Sequence, residues 1–305
     1  MPEDTKKKPK AKKKEYSFDF DELKMYFSEP YMIQMENGSY IEISQPSIGE
    51  ILKLGDREVY SWISPFITNT TSYRVQLWEI GLDWNKITDY ELFSTLIPYV
   101  KNVEFLFKKV EFIENPEYKE NSKNSERIIR ISKDIDFSKL KTYGRKPEDI
   151  DDSDEDDLME VILYDAEQEI ILTEETYMHI REYLRAMFNQ HPKEEFAKGK
   201  LAKKWIIEEE KDNIRLENEK NKGRKKSVLL PMVSSLLNHP GFKYNLDEIK
   251  NLGIFAFMDS VRRLQTYEQC IAFMGGMYSG MMDTSKIGQE ELNKRLNWLQ
   301  DIYEE

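Results

Sequence analysis

The sequence predicts an α+β chain, mainly α-helical, in which a short β-hairpin opens each half and helices pack around it. Three observations predict it. Asn37-Gly38 separates the apolar residues Met32, Ile33 and Met35 from Tyr40, Ile41 and Ile43, which is the pattern of a tight hairpin turn. Leu158–Tyr164 and Glu169–Leu172 flank Asp165-Ala166-Glu167-Gln168 in the same way. Elsewhere the apolar residues return in steps of three and four, the spacing of an amphipathic helix.

Taken in order, residues 1–14 form a lysine tail without apolar periodicity, expected to be disordered. A solubilising role and a docking arm for nucleic acid or a partner are both open for it. The first hairpin begins near Lys24, with Met25 and Phe27 ahead of the Pro30 interruption, and ends at Gln45-Pro46-Ser47. Ser47 with Glu50 three residues on has the capping-box spacing. Ile48, Ile51, Leu52 and Leu54 supply the stripe of the helix it starts, and Val59, Trp62 and Ile63 continue it after Gly55. A second helix is expected from about Thr71 to Ile80, closed by Gly81. Thr88 or Asp89 then caps a helix from Tyr90 to about Phe107, kinked or interrupted at Pro98.

Residues 114–126 read as a polar loop, followed by a short strand at Ile128–Ile131 and an apolar patch at Ile135–Leu140. Eight of the ten residues Glu148–Asp157 are acidic, which marks a solvated linker and a domain boundary. The division is therefore a tail at 1–14, an N-terminal α+β domain at 15–147, the linker at 148–157 and a mainly helical domain at 158–305. In the second half Thr173 caps a helix reaching about Gln190, with Tyr177, Ile180, Tyr183, Leu184 and Met187 on one face and Pro192 as its stop. Residues 194–222 form a long charged helical stretch with sparse anchors at Leu201, Trp205, Ile206, Ile214 and Leu216. Such a helix is exposed, or buried only along a narrow stripe. Val228–Leu237 follows as an apolar helix with Pro231 in its first turn, and ends near His239-Pro240-Gly241. Leu252–Met274 is a strong helix that Gly275 and Gly276 end or bend, and Thr284–Tyr303 is a closing helix.

Composition narrows the function. The chain has 305 residues, 39% of them hydrophobic, enough for a packed core. Its net charge of -12 argues against general affinity for nucleic acid or anionic membranes. That charge is uneven: residues 1–14 hold seven lysines against Glu3 and Asp4, a balance of +5, which leaves -17 for the rest. Nucleic acid is thus expected as a partner only through the lysine tail. With Cys270 the one cysteine, no intrachain disulfide and no cysteine-based zinc site can form, which favours a cytoplasmic protein. No apolar run has the length of a membrane span.

No motif for chemistry stands on its own, so no enzyme activity, cofactor or metal is expected. Asp152, Asp154 and Asp156 alternate as in a calcium loop, but the glycine and distal glutamate such a loop needs are missing. His179, His191 and His239 have no ligand-spaced neighbours. Gly275-Gly276-Met277-Tyr278-Ser279-Gly280 follows a helix and lacks the Gly-Lys-Ser/Thr of a phosphate loop. Lys222-Gly223-Arg224-Lys225-Lys226 sits beside a glutamate-rich helix and reads as a solvated connection. The aromatic residues are the surplus. Tyr73, Trp78, Trp84, Tyr90 and Phe93 crowd one stretch around the Gly81–Asp89 loop. They pack a core or, where exposed, anchor another protein; Trp78, Trp84, Tyr90 and Phe93 are the candidate protein-binding residues.

Two passages resemble a known group of proteins. The first runs from Gln45-Pro46-Ser47-Ile48-Gly49-Glu50-Ile51 through Asn69-Thr70-Thr71-Ser72-Tyr73-Arg74 and Leu82-Asp83-Trp84-Asn85-Lys86-Ile87 to Asp89-Tyr90-Glu91-Leu92-Phe93. The second is Asp259-Ser260-Val261-Arg262-Arg263-Leu264-Gln265 with Tyr278-Ser279-Gly280. Both resemble proteins encoded by phages of Gram-positive bacteria, among tail-assembly genes: tail assembly chaperone-like or tail morphogenesis proteins. The likeness covers the first third and the last sixth of the chain, and it carries no site residues. It implies a chaperone that shields the apolar helical faces of a tape-measure protein in the host cytoplasm, leaving before the virion is complete. The tail tube protein is another implied partner. The competing expectation is a virion structural or connector protein that self-associates as a homo-oligomer.

Overall fold

In the computed structural model of this chain, residues 18, 20–115, 128–145, 159–221, 226–282 and 284–300 are described. The lysine tail 1–14, the acidic run 148–157 and most of the 114–126 loop lie outside them. Helix makes up 51% and strand 16% of the structure, in an α+β arrangement dominated by helix.

The chain opens with α1 (Glu22–Tyr26), which Asp21 caps by accepting from the Lys24 amide. Met25 and Phe27 therefore belong to a helix and its C-cap, and not to the first hairpin strand; their two-residue spacing imitates alternation. The hairpin itself is β1 (Tyr31–Gln34) with β2 (Tyr40–Ile43), in a register that sets Ile33 opposite Ile41. Gly38 takes a φ of +83°, and the Asn37 side chain accepts from the Ser39 amide at 3.1 Å, so both turn residues act as their types require.

Next come α2 (Ile48–Leu54), started by the Ser47–Glu50 capping box, and α3 (Asp56–Ile67). The expected 71–80 helix shortens to α4 (Arg74–Glu79). The expected Tyr90–Phe107 helix is only α5 (Asp89–Leu96), with Thr88 and Glu91 forming its capping box. Pro98 cannot donate to a continuing ladder. The chain tightens into a 3-10 turn at Ile97–Tyr99 and reverses at Asn102, whose φ is +58°. Phe107 opens a strand, β3 (Phe107–Glu114), which pairs with β2 on one side and with β4 (Ile128–Asp134) on the other. The first sheet is thus β1-β2-β3-β4, all antiparallel.

Ile135, Phe137 and Leu140 of the apolar patch are buried around a 3-10 turn. A second sheet, β5-β6-β7, follows: β5 (Lys141–Arg145), then the hairpin of β6 (Glu160–Asp165) and β7 (Ile170–Leu172). Thr173 caps α6 (Glu174–Phe188), which Asn189 ends in the left-handed conformation. The rest is helical: α7 (Lys200–Asn221), α8 (Leu230–Asn238), α9 (Leu246–Asn251), α10 (Ile254–Tyr278) and α11 (Gln289–Leu296). Neither Gly275 nor Gly276 stops α10, which runs through both. No described helix is long and apolar enough to cross a membrane.

The main core is shared by both halves of the sequence. Phe66 of α3 meets the rings of Phe93, Phe107 and Phe137 at 4.9–5.2 Å between centroids. The α6 face presents Tyr177, Ile180, Tyr183, Leu184 and Met187 to the same cluster, all buried. Two polar joints fasten the C-terminal helices to it. Asp56 Oδ2 accepts from Ser227 Oγ and from the Val228 and Leu229 amides at 2.6–2.9 Å, which caps the entry to α8. Gly253 bridges to Ser47 just before α10; a Cβ there would lie about 2.1 Å from Ser28 Oγ and 2.2 Å from Gln45 Oε1 and would push both side chains aside.

Candidate protein-binding surface

Apart from the main core, a smaller apolar cluster gathers Val75 and Leu77 of α4, Trp84, and Leu92 from the outer face of α5. Tyr73, Trp78 and Ile87 pack at its margin, with the Trp78 and Trp84 rings 6.1 Å apart and inclined at 64°, edge to face. This aromatic pad is held at a fixed angle by a polar joint. Arg185 of α6 donates to the carbonyls of Ile67 and Thr68 at 2.8 and 3.1 Å. Arg181 donates to Asp89 at 2.6 Å, and the second oxygen of Asp89 accepts from the Thr70 amide at 2.9 Å. Burial, aided by the neighbouring Arg181, pulls the Arg185 guanidinium below its ordinary value.

Residues 190–199 cross the pad as an irregular strap. Asn69 donates to the carbonyls of Pro192 and Lys193, the Trp84 indole donates to the Glu195 carbonyl at 3.2 Å, and Asn85 donates to the Ala197 carbonyl at 2.7 Å. The Glu195 amide donates to Thr71 Oγ1 at 3.1 Å. Side chains of the pad thus satisfy backbone groups that have no ladder of their own. From the strap the chain enters α7, which sends Ile207 into the pad and rests Ile206 on it.

Charges flank this contact on both sides. Arg74 meets Glu195 and Glu210 at 2.6 Å each, and Lys203 meets Asp83 at 2.5 Å while its ammonium lies 5.6 Å from the Trp84 ring centroid. Burial lowers the Arg74 guanidinium, but its hydrogen bonds to Glu210 and Glu195 more than offset this and raise it above its ordinary value. In return the Arg74 hydrogen bond holds the Glu195 carboxyl below the usual range, and Lys203 does the same for Asp83. Lys211 and Glu79 pair at 2.6 Å on the surface.

Of the four residues expected to bind another protein, three are interior. Phe93 stacks on Tyr177 at 4.5 Å in the main core, and Tyr90 is buried there, donating its hydroxyl to the Leu172 carbonyl at 2.8 Å. Trp84 is 2% exposed, at the centre of the pad. Trp78 alone is partly open to solvent. Periodicity around the Gly81–Asp89 loop separates faces but does not say which face the strap, more than a hundred residues away, will cover.

Large apolar side chains face solvent at several places, among them Phe27, Ile80, Tyr99 and Tyr278; three lie along that strap and helix, Phe196 at 70%, and Leu201 and Trp205 at 67% each. Leu201 and Trp205 are one turn apart on one face of α7. The sequence marked Leu201, Trp205, Ile214 and Leu216 as apolar anchors of the 194–222 stretch, but all four are exposed; Ile207 is the side chain that is buried, because the strap turns that face of α7 onto the pad.

No protein-family model, curated protein or solved structure matches the chain.

Other candidates for chemistry are locally explained. His179 pairs with the Tyr31 hydroxyl at 3.3 Å, and His239 with Glu268 at 3.0 Å while accepting from the Gly241 amide. Cys270 is buried in α10. Among the described residues, no three His, Cys, Asp or Glu side chains converge in a way that could hold a metal ion. An open groove of about 490 Å³ lies between the two sheets, lined by Ser39, Phe112, Tyr164, Glu169 and Ile171 among others. Its carboxylates, Glu111 and Glu169, are both turned onto the buried Lys109, at 2.5 and 3.1 Å.

Proposed function

We propose that this chain works by binding another polypeptide, as a phage tail-morphogenesis factor of the tail assembly chaperone kind. The observation that carries the reading is the apolar surface exposed by Phe196 on the strap and by Leu201 and Trp205 on the highly charged α7. Apolar side chains at helical spacing, rimmed by charge, suit the reception of an amphipathic helix from a partner. A tape-measure protein, long and helical before its tube is built, has faces of that kind to shield. The resemblance of Gln45–Ile51, Asn69–Arg74 and Leu82–Phe93 to tail-assembly proteins points the same way, and the host cytoplasm is where such a factor would act.

Coexpression tests it. The chain should copurify with a tape-measure protein and be missing from mature particles. Leu201→Glu with Trp205→Glu should reduce that capture at least tenfold while leaving the melting temperature unchanged. Stoichiometric presence in purified virions, or capture indifferent to the double substitution, would defeat the reading.

A structural or connector protein is the second reading, and β4 favours it. Among the described residues no strand pairs with the outer edge of β4, which carries Ile128, Ile129 and Ile131. Such an edge is a template for strand addition by a second copy. Light scattering separates the two: a stable ring of many copies supports the connector, and a monomer or dimer supports the chaperone.

A further inference from the structure

We infer that the aromatic pad of Tyr73, Val75, Leu77, Trp78 and Trp84 is a helix-binding seat, and that the chain's own α7 covers it as a displaceable strap. The inference rests on the reading of the chain as polypeptide-binding and adds a second seat, beneath α7 and distinct from its outward face. The occupant it fits is an amphipathic helix carrying the pattern that α7 presents there, Lys203-x-x-Ile206-Ile207-x-x-Glu210-Lys211. The aliphatic pair fills the apolar centre, the leading lysine meets Asp83, and the trailing Glu-Lys pair meets Arg74 and Glu79.

Four observations make α7 a removable occupant. The pad forms a cluster separate from the main core, so lifting the strap leaves the rings around Phe66 untouched. Among the described side chains of the helix, Ile207 alone is buried, and every side chain from Lys211 to Lys220 is exposed. That outer half is supported by intrahelical pairs such as Arg215 with Asp212 and Glu219 at 3.7 and 3.9 Å, and a helix of that length is marginal when unsupported. Finally, Asn85 holds the strap through its amide group alone, donating to the Ala197 carbonyl, and no described residue donates to its side-chain oxygen.

Both ends of the arm are fastened independently of the pad. Before it, α6 ends with Phe188 in the main core and Asn189 as its C-cap; after it, Asp56 holds residues 227–229. The arm can therefore open as a loop without unravelling either neighbour, which is the behaviour of a local unfolding unit.

Hydrogen exchange on the full chain, with a fluorescent peptide of residues 198–219 as the added helix, tests this. Amides of 200–210 should exchange at least tenfold faster than those of 177–187 in α6. Ile207→Asp should widen that gap without changing protection in α6, and the peptide should bind this variant at least tenfold more tightly than the unaltered chain. Adding Arg74→Glu should weaken the peptide, and a peptide with Glu210→Lys should restore it, an exchange of charge that a merely unfolded pad would not reward. The inference is overturned if 200–210 and α6 open together, if Ile207→Asp strips protection from α6, or if peptide binding ignores both changes. None of these results depends on capture of a tape-measure protein, so this seat and the proposed tail role fail separately.

Discussion

The main core and the aromatic pad are built by opposite means. In the core, rings and aliphatic side chains from both halves of the sequence interlock, with Phe66 against Phe93, Phe107 and Phe137, and Phe107 against Phe137. Stability there is dominated by apolar burial, which no single hydrogen bond governs. In the pad, few side chains are buried, and the joint depends on an indole, two amide side chains and paired charges that reach across to one irregular segment. Burial makes a permanent structure; a polar joint over a small apolar seat makes one that can be exchanged for an equivalent partner.

The comparison breaks first at its strongest point. Phe66→Ala removes a ring from the centre of the core and should destabilise the whole chain by about 3–5 kcal/mol, as large-to-small core changes do. Urea unfolding followed by circular dichroism measures it. A loss below about 1 kcal/mol would mean that the two halves do not depend on one core. A smaller effect is expected at the polar joint linking core and pad. Asp89→Ala leaves the Thr70 amide without its acceptor and Arg181 with Glu182 as its remaining described carboxylate partner. Losing hydrogen bonds to a charged group should cost about 2–3 kcal/mol. The same variant should speed exchange in the pad more than in β1 and β2, and uniform exchange would sink the idea of a joint.

How much of this was legible follows from what kind of force acts where. The caps at Ser47, Thr88 and Thr173 and the Asn37-Gly38 turn were legible because each is decided within four residues. The inward face of α6 was legible because Tyr177, Ile180, Leu184 and Met187 keep helical spacing against one large core. Strand β3 was not, because Val100, Val103 and Phe107 continue a three-and-four rhythm past Pro98 by coincidence. Neither was β5, whose Lys141-Thr142-Tyr143-Gly144-Arg145 is exposed and shows no alternation. The pad was half legible. Its aromatic crowding was plain, but its cover comes from Glu195, Ala197 and Ile207, and no local rule connects those to Trp84.

A capping change tests the local end of this scale. Thr88→Ala removes the hydroxyl that accepts from the Glu91 amide at 3.1 Å and should destabilise the chain by about 1 kcal/mol. Thr88→Ser should recover most of it. Recovery absent from the serine variant would show that the methyl group, and not the cap, mattered.

Acidification gives the smallest expected effect and the sharpest separation of the two regions. Glu195 and Asp83 have ordinary values of 4.5 and 3.8, and their hydrogen bonds to Arg74 and Lys203 lower both in the folded chain. A carboxyl whose folded value is depressed contributes stability above its ordinary value and loses it as pH falls through the depressed one. The strap should therefore hold unchanged at neutral pH and loosen below about pH 4. The Glu195 side chain is 38% exposed, so solvent screening limits the contribution to less than about 1 kcal/mol. Fluorotryptophan at Trp84 reports the pad directly by NMR. Its resonance should move toward the solvent-exposed position on acidification while the circular dichroism of the helices stays constant, and Arg74→Ala should shift it at neutral pH. A Trp84 signal that moves near pH 6, or only together with the loss of helix, would show that pad and core are one unit.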